Sequence, residues 1–144
     1  MQNLKTNAFS KYLKARIESA SPLGLIVLMY EAAIKFLKLA REDFMDNDIE
    51  SACDHLIRTQ NIIRELQKAL DMNVKELSPQ LYALYDFMIR QLIQANVKRK
   101  IEPIDTVLGM LEELKEAWDT ISGKAEARPV GTEINVGGGF SISG

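Results

Sequence analysis

Ser21-Pro22-Leu23-Gly24-Leu25-Ile26-Val27-Leu28-Met29-Tyr30 reads as the opening of a long helix that is apolar nearly all round. A serine side chain caps orphan backbone N–H groups, and proline is well tolerated at the first helical position. The pattern carries this helix from residue 22 to about residue 45. A helix apolar on every side lies at the centre of a bundle or keeps one face for a partner. Residues 23–39 are the most apolar stretch, but Glu31, Lys35 and Lys38 interrupt them. The stretch is also short for a bilayer span.

Downstream, the same period recurs three times. Asp46-Asn47-Asp48 breaks the first helix, and Asn47 with Glu50 predicts a capping box for the next. That helix runs to about residue 70 with Ala52, Cys53, Leu56, Ile63 and Leu66 on one stripe, and Gln60 off it. Ser78-Pro79 repeats the serine-cap, proline-first signal and starts a helix to about residue 98. Leu81, Leu84, Tyr85, Met88 and Leu92 line its inner face. A second row of Tyr82, Ile89, Ile93 and Asn96 lies beside it, broader than one packing seam requires. Glu102-Pro103 opens a last helix with Ile104, Val107, Leu111 and Trp118 inward, and Ser122-Gly123 is its expected stop near residue 121.

Upstream, Phe9, Tyr12, Leu13 and Ile17 share a face over residues 4–18, a segment too short to be stable unless it docks. Residues 124–144 hold Pro129, Gly131 and the triplet Gly137-Gly138-Gly139, with no helical period. They read as a flexible tail. The expected fold is all-α: an antiparallel four-helix bundle in residues 1–123, a short N-terminal helical segment packed on it, and the Gly-rich tail.

The composition excludes several function classes. The chain has 144 residues, 47% hydrophobic and 26% charged, with a formal net charge of -2. An acidic chain whose one basic run is Lys98-Arg99-Lys100 is a poor nucleic-acid binder. Cys53 is the lone cysteine, so no internal disulfide forms, and the N-terminus lacks the apolar core of a signal peptide. The chain is read as cytoplasmic, without membrane insertion. His55 is the lone histidine, and no Glu-x-x-His pattern exists for a di-metal bundle site. Cys53 lies on an apolar stripe, where a thiol reads as structural rather than as a nucleophile. No phosphate-binding loop or serine elbow is present. No enzyme, metal or cofactor is expected. The surplus is apolar and aromatic surface, with Leu25, Met29, Tyr30, Tyr82 and Tyr85 as adaptable contact residues. Ile89, Ile93 and Asn96 complete the partner-facing set, and an amphipathic helix laid in a groove is the partner such a surface fits.

Four blocks, in order and compatibly spaced, resemble the flagellar secretion chaperone family (FliS). Tyr12, Ile17, Ser19-Ala20-Ser21-Pro22 and Leu25 through Ile34 resemble its opening signature of a tyrosine, a "T-A-S-P" turn and an "L-I-x-x-L-Y-D-G-A-I" helix. Ile62-Ile63-Arg64-Glu65-Leu66 with Leu70-Asp71 is similar to its "I-I-x-E-L…L-D" block. Leu84-Tyr85-Asp86-Phe87-Met88 with Leu92, Ala95 and Asn96 is similar to "L-Y-D-Y-M…L…A-N". Leu111-Glu112-Glu113-Leu114 with Ala117-Trp118 resembles its closing block. Ser19, Glu31 and Ala32 depart mildly, where the family has Thr, Asp and Gly.

The resemblance implies an antiparallel helical bundle that binds the C-terminal segment of newly made flagellin. That segment is disordered alone and orders as it wraps the chaperone. Binding prevents premature polymerisation and presents the subunit to components of the export apparatus. It also implies that the N-terminal segment covers the apolar surface when flagellin is absent, with Phe9 and Tyr12 as lid residues. An adaptor for another secretion-system protein is the alternative, and a homodimer burying the extra apolar rows is a third arrangement.

Overall fold

The computed structural model describes residues 21–127, which form four helices. These are α1 (Pro22–Met45), α2 (Ile49–Lys68), α3 (Ser78–Lys98) and α4 (Glu102–Ala127). Each helix packs on its neighbours in chain order, and α4 returns to α1, which closes a four-membered ring. Short turns between packed neighbours make each successive pair antiparallel, so the architecture is the expected all-α bundle.

Local chemistry explains the boundaries. Ser21 Oγ accepts a hydrogen bond from the Gly24 N–H at 3.0 Å, with Pro22 in the first turn, as the sequence predicted. The second cap differs by one residue. Asn47 takes a left-handed conformation at φ 60°, and the Asp48 N–H bonds back to Asp43 O, which closes α1. Asparagine tolerates that conformation. Capping of α2 then falls to Asp48, whose Oδ1 accepts from the Ser51 N–H.

Ser78 is not a cap either. It lies inside the first turn of α3 and is buried, and its hydroxyl donates to Asp71 O at 2.6 Å. It therefore pins the 69–77 connection to the helix that follows. Finally, α4 continues past Gly123 to Ala127. An interior glycine costs about 1 kcal/mol relative to alanine but does not force a stop, and Lys124-Ala125-Glu126-Ala127 are good helix formers.

The core lies where the four stripes meet. Leu37 and Ala40 from α1 share it with Leu56 and Ile63 from α2, Met88 and Leu92 from α3, and Ile104 and Leu111 from α4. At its centre the Tyr30 and Tyr85 hydroxyls share a 2.6 Å hydrogen bond across the diagonal between α1 and α3. The Trp118 ring packs at 6.4 Å from that of Tyr30, tilted by 49°. Thr59 and Gln60 are also buried; the Thr59 hydroxyl bonds back to His55 O. Burial of Gln60 corrects its reading as an off-stripe residue: it faces α3 rather than solvent.

Candidate partner-binding site

Two cross-helix hydrogen bonds set the register of α2 against α3. Asn96 Nδ2 donates to Cys53 Sγ at 3.3 Å near one end, and Gln67 Nε2 donates to Tyr82 O at 3.2 Å near the other. An antiparallel pair with those anchors brings Gln60 level with Ile89, and Ile57 level with Ile93. Gln60 and Ile89 are buried and form the floor. Above them Ile57 is 46% exposed and Ile93 40% exposed. Val97, one turn further along α3, is 73% exposed, and Tyr82 continues the row at the other end. The outer edge of the α2–α3 seam therefore carries a discontinuous apolar strip, with Ile57, Ile93 and Val97 together at one end, Tyr82 toward the other, and the exposed Asp86–Arg90 ion pair between them on α3.

The opposite seam, between α1 and α4, has the reverse chemistry. Arg41 and Asp105 pair at 2.7 Å, Lys38 and Glu112 at 3.6 Å, and Lys115 and Glu31 at 3.9 Å. The Lys38–Glu112 and Lys115–Glu31 pairs border an open groove of about 680 Å³. Such exposed pairs contribute little stability individually, but three of them cross this seam, where the α2–α3 edge exposes Ile57, Ile93 and Val97.

Of the sequence-predicted contact residues, Tyr82 and Ile93 lie on this strip and Ile89 beneath it. Leu25 is exposed and Met29 half-buried, both near the start of α1. Tyr30 and Tyr85 belong to the core and cannot meet a partner while the bundle is closed. Burial pushes both phenols above their usual pKa. For Tyr30 this is offset in part by Tyr85 and by the nearby Trp118 N–H, which has no hydrogen-bond partner among the described residues. Asn96 neither caps its helix nor stands free; it reaches Cys53. Phe9 and Tyr12 lie outside the described residues.

Sequence reasoning missed Ile57 and Val97, and it placed Leu84 in the core although it is partly exposed. Ile57 sits one step off the α2 stripe, and only the α2–α3 register shows that it meets Ile93. The His55 ring stacks on Phe36 at 6.0 Å, and its Nδ1 pairs with Asp43 at 2.6 Å. That makes His55 a boundary residue tying α2 to α1.

Comparison with known proteins places this geometry. Residues 5–125 match the family described as flagellar protein FliS. The chain belongs to that family. A flagellar secretion chaperone FliS of Bacillus subtilis (strain 168) is 35% identical over 112 residues, covering 78% of this chain and 84% of the relative. The flagellar secretion chaperone FliS of Salmonella typhimurium is 36% identical over 115 residues, covering 78% and 85%. A crystal structure of a bacterial flagellar chaperone superposes with a TM-score of 0.67 at 22% identity, covering 86% of this chain and 99% of that one. This last likeness concerns the fold.

Proposed function

We propose that this protein is an export chaperone that holds the C-terminal segment of flagellin in the cytoplasm, prevents its premature polymerisation and delivers it to the flagellar type III export apparatus. The observation that carries the reading is the apolar strip of Ile57, Ile93, Val97 and Tyr82, left open in a chain of the FliS family. An amphipathic segment that is disordered when free gains most of its binding free energy from apolar burial on such a strip. Part of that gain is spent on its own ordering. Helix-in-groove docking needs anchors at helical spacing, which an antiparallel seam supplies. Residues 4–18, with Phe9 and Tyr12, serve in this reading as the lid over the strip when flagellin is absent.

Calorimetry of the full chain against a peptide of the flagellin C-terminus from the same organism tests the proposal. Saturable one-to-one binding with a negative heat-capacity change and a gain of helix by circular dichroism is the expected result. Absence of binding by a folded protein lacking residues 1–18, where self-blocking is removed, overturns flagellin as the cargo.

A further inference from the structure

The two ends of the bundle are closed differently. Residues 46–48 and 99–101 make tight turns at one end. At the other, residues 69–77 join α2 to α3, the chain enters α1 at Ser21, and α4 runs out at Ala127. Leu23, Leu70 and Leu77 are only partly buried at that second end, packed against the rim of the core. Met72, in the connection, is 53% exposed. The contacts of His55 with Phe36 and Asp43 set a register of α1 on α2 that brings the exposed Leu25 level with Leu70. Tyr82, also exposed, flanks the same end where its carbonyl accepts from Gln67. An apolar surface thus gathers around the C-terminal end of α2. Asp71, Lys75 and Glu76 at its border nearly cancel in charge, so apolar burial governs contact there.

The sequence holds an occupant within reach. Residues 128–144 carry Ile134, Val136, Phe140 and Ile142, and their charged side chains are Arg128 and Glu133 alone. They lie beyond the stretch matched to the FliS family, so the shared bundle does not explain their apolar content. α4 and α2 stand at diagonal corners of the ring, about 11–14 Å apart for helices packed about 8–10 Å from their neighbours. Fully extended, residues 128–134 span about 23–25 Å, enough to cross the end and set Ile134 over Met72. Gly137-Gly138-Gly139 then lets the chain double back, so that Phe140 and Ile142 reach the same surface as Ile134 and Val136. A tether this short gives an effective concentration on the order of millimolar, so even weak apolar contact is populated.

We infer that residues 132–142 dock across this end of the bundle, over Met72, and serve as a built-in cover for it. Tyr82 belongs both to this surface and to the far part of the α2–α3 strip. The docked tail therefore competes with a cargo segment for Tyr82 and holds cargo affinity down until it is displaced. The cover stands on this chain alone; the competition rests on the cargo-holding reading above.

Methionine oxidation tests the cover in the full chain. Met45, 64% exposed at the opposite end of the bundle, is the internal control for Met72. Peroxide converts an accessible thioether to its sulfoxide, and peptide mapping by mass spectrometry follows each site. In the unaltered protein Met72 should oxidise several-fold more slowly than Met45. I134S/V136S/F140S/I142S, which leaves the four helices untouched, should speed Met72 several-fold and leave Met45 unchanged. The same variant should bind the flagellin C-terminal peptide a few-fold more tightly. Equal Met72 rates in the two proteins overturn the inference, whatever the cargo result. Release of Met72 by removal of residues 1–18, and not by the tail change, makes the N-terminal segment the occupant and also overturns it. Release of Met72 by the tail change with unaltered peptide affinity removes the competition. Failure of the unaltered protein and the variant to bind any flagellin peptide sinks the cargo reading, and the oxidation result is independent of it.

Discussion

Replacing Tyr30 by phenylalanine removes one oxygen from the centre of the bundle and strands another. The Tyr30–Tyr85 hydrogen bond is 2.6 Å long and both side chains are essentially inaccessible to water. The change therefore loses a buried hydrogen bond and leaves the Tyr85 hydroxyl without a partner. A net bond contributes about 1 kcal/mol, and an orphaned buried polar group costs about 1–3 kcal/mol. The single variant should lose about 2 kcal/mol, and so should Tyr85→Phe. The double variant removes both polar groups and leaves two apolar rings in van der Waals contact. It should cost no more than either single change, giving a coupling of about 2 kcal/mol in a double-mutant cycle. Urea denaturation followed by circular dichroism at 222 nm measures all four proteins. At a few degrees per kcal/mol for a domain of this size, each single change should also lower the melting temperature by several degrees. Additive losses, with the double variant costing the sum of the singles, would refute the claim that the two hydroxyls satisfy each other.

Other expectations follow from the same structure. Because burial lifts both phenols, the folded state holds their protons after the unfolded chain has released them. Their contribution is fully present below pH 10 and is lost as pH rises above it. The slope approaches about 1.4 kcal/mol per pH unit for each tyrosine, and Y30F/Y85F should flatten this alkaline limb. Ile57→Asp and Ile93→Asp, on the exposed strip, should leave the melting temperature nearly unchanged and weaken the flagellin peptide about tenfold or more, since each forfeits about 1.5 kcal/mol of apolar burial. Asp48→Ala removes the cap that accepts from the Ser51 N–H and should cost about 1 kcal/mol in urea unfolding, whereas Asn47→Ala should cost less by an amount reflecting only its left-handed backbone.

The bundle itself was legible because its signals are local. Ser21-Pro22 and the 3.6-residue period of each helix act over a few residues, and the structure keeps them. At the caps where two local signals competed the reading slipped by one turn or less, whereas at the end of α4 the helix formers after Gly123 carry it to Ala127, past the stop expected near residue 121. Asn47 and Asp48 can each cap, and the left-handed closure of α1 decides between them. Ser78 can cap, but burial of its hydroxyl against Asp71 takes precedence. The strip was half legible. Tyr82 and Ile93 announce themselves as a second apolar row, yet the same pattern placed Tyr30 and Tyr85 among the contacts when they fill the core. An aromatic residue on a helix carries no mark of which neighbour it faces. Ile57 was invisible for the complementary reason: its meaning depends on a register set by Asn96 and Cys53, forty-three positions apart in the chain.

The ring in which each helix touches its neighbours in chain order has a kinetic consequence. Three of its interfaces, α1 with α2, α2 with α3 and α3 with α4, join elements consecutive in the chain, and only the contact of α4 with α1 spans the chain. Local contacts of this kind carry small loop-closure costs, which favours rapid folding. The strip is built by the middle pair, so it can take shape as α3 emerges from the ribosome, before ring closure is possible. Under the proposed function, a chaperone assembled in that order has its cargo-facing edge formed ahead of its own final packing.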